Sequence, residues 1–101
     1  MNSERRKMTV ILLRLARELN ARQNKLAREE DYDFSLQREI NSVFYAISEV
    51  HSIAHMDPID TAIHRTAFDF VDGKIKMGKC LREIERHLNM LHKGSGMKNR
   101  R

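Results

Sequence analysis

The 101-residue chain is short of the residues that cross-link or punctuate a fold, with one cysteine, one proline, four glycines and no tryptophan. A lone thiol, Cys80, excludes an internal disulfide and suits a reducing compartment, so a cytoplasmic setting is expected. No apolar run approaches the roughly 20 residues needed to cross a bilayer, and no membrane partner is expected. The segment MTVILLRLA, residues 8–16, does follow RRK. Arg14 and Arg17 break its apolar character and no small-residue cleavage site comes after it, so it reads as helix rather than leader. Nowhere do apolar and polar residues alternate long enough to make a half-buried strand. Glycine-rich phosphate loops, serine-nucleophile elbows and supported carboxylate pairs are also missing, which predicts no enzyme and no cofactor.

Charge is abundant and unevenly placed. Residues 1–28 hold eight Lys/Arg against Glu4 and Glu18, a net of +6. Residues 29–73 hold Arg38 and Arg65 against ten acids, a net of −8. Residues 74–101 hold nine Lys/Arg against Glu83 and Glu85, a net of +7. The chain therefore runs basic, acidic, basic.

Helical periodicity organises the rest, and with 41% hydrophobic residues it predicts one all-α domain over residues 1–93 followed by a flexible basic tail, 94–101. Met8, Leu12, Leu15, Leu19 and Leu26 trace a stripe on a helix from about Ser3 to Glu30, with Ser3 as N-cap and Glu4 at the positive end of the dipole. Leu36, Ile40, Val43, Ile47, Val50 and Ala54 trace a second, capped by Asp33 or Ser35 and stopped by Pro58. Asp57 and Pro58 then read as N-cap and first position of the next helix. Ile59, Ile63, Thr66, Phe70, Met77, Leu81, Ile84, Leu88 and Leu91 continue in phase across Asp72-Gly73. Phase continuity favours an antiparallel three-helix bundle with a long last helix, and the local stop signal favours four helices broken at Gly73. The long helix is the expectation carried forward.

Few candidate sites emerge. His51 and His55 stand one helical turn apart, but no glutamate or cysteine joins them at metal-ligand spacing, so they are expected to be half-exposed histidines near a helix end and no metal is expected. Cys80 has no base nearer than His87, two turns on, and is expected to pack in the core. Tyr45 and Phe68 fall off the main stripes, where either a wider core seam or the interface of a homodimer would cover them. The strongest feature is a pair of basic ridges. Arg6, Lys7, Arg14, Arg17, Lys25 and Arg28 share about 100° of the first helix over about 33 Å. Lys79, Arg82, Arg86 and Lys93 line the outer face of the last.

These features point to a small non-enzymatic helical binding protein of adaptor, chaperone or inhibitor type. Its ridges would dock on a protein with an acidic surface or on a nucleoprotein assembly. Nucleic-acid binding through the same ridges is the alternative, weakened by the acidic middle segment and by the absence of a helix-turn-helix or RNA-reading motif.

Overall fold

A computed structural model describes the backbone of residues 1–55 and 57–99, with side chains as far as Met90. The chain forms four helices: α1 (Ser3–Arg28), α2 (Phe34–Val50), α3 (Pro58–Val71) and α4 (Met77–Asn99). Among the described residues there is no strand. The single long last helix expected from the phase of the apolar pattern is thus corrected to two helices.

The reason lies in how α3 ends. Asp72 closes the helix, Gly73 adopts φ +78, the Gly73 amide donates to Phe70 O and the Lys74 amide to Asp69 O. Those two bonds define a Schellman motif, which satisfies the last carbonyls and turns the chain away. An apolar pattern can keep its phase across such a turn, because packing needs side chains at the right places and not one unbroken rod.

The same motif closes α1 and α2, without a glycine. Glu30 (φ 58) and Ser52 (φ 59) hold the left-handed position, and Asp31 and Ile53 donate back to Leu26 O and Ser48 O. Helix α2 therefore stops at Val50, well before Pro58, and Ala54 lies outside it. At the other ends, Asn2 rather than Ser3 caps α1 through Oδ1 to the Arg5 amide. Asp33 caps α2 through the amides of Ser35 and Leu36, and Asp57 caps α3 ahead of Pro58.

Helix α1 packs chiefly on α2 and α3 on α4, and further contacts of α3 with α1 and α2 join the pairs. The core gathers Leu13, Ala16, Ile40, Phe44, Ile47, Ile63, Ala67, Cys80 and Ile84. The inner row of α1 is Thr9, Leu13, Ala16, Asn20 and Gln23. It is displaced by one residue, about 100° of rotation, from the expected leucine row. Leu12, Leu19 and Leu26 are only half-buried, and Met8 and Leu15 are exposed.

Two polar contacts, one buried and one part-buried, hold α1 in this orientation. Thr9 Oγ1 lies 2.8 Å from His51 Nε2 at one end. At the other, the Gln23 amide donates to Asp33 O and accepts from the Asp33 N–H, copying a backbone bridge. Turning the leucine row inward would carry Thr9 and Gln23 away from these contacts and leave the buried His51 without its Thr9 partner.

Candidate basic docking surface

The break at Gly73 creates a short turn, Lys74-Ile75-Lys76, between α3 and α4. Two adjoining hollows meet there. One, of about 390 Å³, is lined by Arg14 and Arg17 of α1, Phe70 of α3, and Gly73, Ile75, Lys76 and Met77. The other is lined by Lys74, Ile75, Lys76, Gly78, Lys79 and Arg82. Ile75 and Lys76 belong to both, so six cations from two helices and a turn surround one continuous surface. No carboxylate lines either hollow.

Local contacts place these side chains. The Arg17 guanidinium lies over the buried Phe70 ring, 5.4 Å from its centroid, a cation–π contact that orients it without neutralising it. Arg82 folds back over Gly78, its Nη1 3.6 Å from the position a Cβ would take there. The Cys80 amide bonds Lys76 O at 2.9 Å, so a lysine stands where α1, α2 and α3 carry an acceptor side chain, and the first turn of α4 holds no acid. Among the described residues none of the six cations forms an ion pair.

The sequence-predicted ridge residues divide accordingly. Arg14, Arg17, Lys79 and Arg82 come together here. Arg6 and Lys7 on the first turns of α1, and Lys25 and Arg28 on its last, are exposed but line neither hollow. Arg86 is bound to Glu83 at 2.9 Å and is, among the described residues, the one ridge residue in an ion pair with its own chain. The side chains of Lys93 and of residues 94–101, expected as a flexible tail, lie outside the described ones, and helix α4 runs to Asn99. Lys74 and Lys76 were missed, because a continuous helix at Gly73 would have scattered them around its circumference.

The histidine pair separates. His51 is buried rather than half-exposed. Burial lowers its pKa from the ordinary histidine value, helped by the charges of Arg5 and the N-terminal ammonium. His55 stands in the α2–α3 connection, stacked on Tyr45 at 4.6 Å and 3.5 Å from Glu49. Among the described residues, no three His, Cys, Asp or Glu side chains are grouped to hold a metal ion. Cys80 is fully buried, and desolvation, reinforced by Asp69 and Glu83, pushes its thiol up to about 12. Such a thiol stays protonated and unreactive.

A second polar cluster was not foreseen. Asp60, expected only to favour the α3 dipole, is 4% exposed and accepts a hydrogen bond from the fully buried Ser48. His64 Nε2 stands 3.1 Å from the same carboxylate oxygen but off the line of a hydrogen bond. Carboxylate between serine and histidine is the wrong order for an activated nucleophile, which needs the histidine in the middle. Tyr45 and Phe68, each 41% exposed, lean on this cluster: Tyr45 against His64 and His55, Phe68 against Phe44.

No helix of the described residues is long and apolar enough to cross a membrane. Compared with known protein families, characterised proteins and solved structures, the chain matches none.

Proposed function

We propose that this chain is a small non-enzymatic binding protein, its helices packed as an antiparallel bundle, that docks on an acidic protein surface through the cations around the α3–α4 turn. One observation carries the reading: Arg14, Arg17, Lys74, Lys76, Lys79 and Arg82 converge from separate segments with no carboxylate of the described chain engaging them. Six like charges held together repel one another, an arrangement that a partner's anions relieve.

Apolar side chains favour a protein partner over a bare phosphate backbone. Ile75 and Met77, both half-buried, lie among the cations, so the surface offers both charge and grease. A protein supplies carboxylates beside apolar side chains, the mixture typical of an interface core and rim. Antiparallel packing is supported by the contacts at both ends of the α1–α2 pair, Thr9 with His51 and Gln23 with Asp33. A cytoplasmic setting fits the lone thiol of Cys80.

The test is affinity capture from the native cell with nuclease-treated and untreated lysates side by side, using the wild type, Arg17→Glu/Lys76→Glu, and Lys25→Glu as a control about 12 Å along α1. The double reversal should reduce recovery of the partner at least tenfold, the control should not, and nuclease should change neither. Release by nuclease, together with affinity for generic duplex that falls steeply with salt, would transfer the same surface to nucleic-acid binding.

A further inference from the structure

The rotation of α1 leaves an apolar face with nothing on it. Met8, Ile11 and Leu15 are 51, 64 and 42% exposed. With Glu4, Glu18 and Arg22, also exposed, they form a row spaced 4-3-4-3-4, the heptad spacing of a two-helix seam. The core already has its own row on α1, so this second stripe is available to another molecule. Glu4, Glu18 and Arg22 form no ion pair with their own chain among the described residues.

The order of charges along the row identifies what covers it. We propose that α1 of a second copy lies antiparallel on this face, around a two-fold axis at the level of Leu13, and that the chain is a homodimer through this seam. Three pairs share that midpoint: Ile11 with Leu15, Met8 with Glu18, and Glu4 with Arg22. Each forms twice across the axis. The register therefore puts apolar on apolar at the centre, lays the stem of Glu18 over Met8, and closes both ends with opposite charges.

A parallel pair would instead set Glu4 on Glu4, Glu18 on Glu18 and Arg22 on Arg22, each a like-charge contact. Self-complementarity in one orientation and self-repulsion in the other is what an isologous interface requires. The seam spans about 27 Å of helix, short for a stable interface, so dissociation in the micromolar range is expected.

The dimer rests on α1 alone and stands whether or not the basic surface binds a protein. Arg14 and Arg17 lie about 90° and 150° round α1 from the centre of the seam, so dimerisation leaves them open. It presents two basic surfaces per particle, and a partner repeating its acidic site would be held by avidity.

Sedimentation velocity on the full chain from about 1 to 500 μM tests this, with circular dichroism confirming the fold of each variant. The wild type should convert from monomer to dimer within that range. Ile11→Asp should be a monomer throughout, with unchanged helicity because the side chain lies outside the core. Glu4→Arg and Arg22→Glu should each weaken the dimer at least threefold, and the double swap Glu4→Arg/Arg22→Glu should recover wild-type association to within twofold. A wild type that stays monomeric, a dimer indifferent to Ile11→Asp, or a double swap no better than its parents would each overturn the proposal. The swap decides the register even if one substitution at residue 11 disturbs the helix.

Discussion

Thr9 and Thr66 occupy equivalent places in two helices. Each hydroxyl donates its only hydrogen to the carbonyl four residues back, Arg5 O at 2.7 Å and Ala62 O at 3.0 Å. Toward the facing histidine, His51 at 2.8 Å and His87 at 3.1 Å, each can therefore only accept, so both imidazoles must carry a hydrogen on Nε2. Burial is the main cause that lowers both pKa values, with Arg5 adding to it at His51 and Arg86 at His87, where Glu83 opposes. The sign follows from linkage. As pH falls below the ordinary histidine value of 6.5, the unfolded chain takes up protons that the folded chain refuses, so stability present at neutral pH is lost as pH falls through the folded values. The urea midpoint should accordingly drop between pH 7.5 and 5, and His51→Gln should flatten part of that slope. An unchanged slope in the variant would remove His51 from the account. None of this was legible in the spacing of His51 and His55, because burial of the first depends on a threonine 42 residues earlier in the chain.

Helix boundaries show where local sequence is enough. Asp57-Pro58 fixed the start of α3 from the letters alone, since a carboxylate acceptor and a ring without an amide hydrogen can do little else together. The ends of α1 and α2 were hidden because Glu30 and Ser52 hold left-handed positions that a glycine would announce and these residues do not. The end at Gly73 was announced and then overruled by apolar phase, which is blind to chain breaks between packed segments. Rotation of α1 by one residue was hidden for a related reason: the hydrophobic pattern counts leucines but cannot see that Thr9 meets the buried His51 and Gln23 the backbone of Asp33. These ends make a signed prediction. Replacing Glu30 or Ser52 with glycine relieves a conformation costing an L-residue roughly 1 kcal/mol and should stabilise by about that amount, whereas Gly73→Ala should destabilise by a similar amount although nothing lies within 4 Å of the added methyl. Urea titrations of the three variants measure this, and stabilisation by Gly73→Ala would contradict it.

Across the whole molecule, the basic–acidic–basic order and the outward ridges were readable because side-chain direction on a helix follows from position alone. Their convergence was not, since it needed the chain to turn at Lys74-Ile75-Lys76. What results is a net +5 chain whose surface ion pairs among the described residues are few: Arg86 with Glu83 and the N-terminal ammonium with Glu85. Attraction at the surface is thus sparse, while repulsion among the cations at the α3–α4 turn is concentrated. Salt weakens both, with a screening length of about 10 Å at 0.1 M. The repulsive part is larger here, so the urea midpoint should rise as NaCl goes from about 20 to about 200 mM. The same balance predicts that Lys76→Glu stabilises the isolated protein at low salt, by up to about 0.5 kcal/mol as befits an exposed site, while it weakens docking. A midpoint that falls with added salt would mean that the cations are held by the protein's own acids, leaving no charge free for a partner.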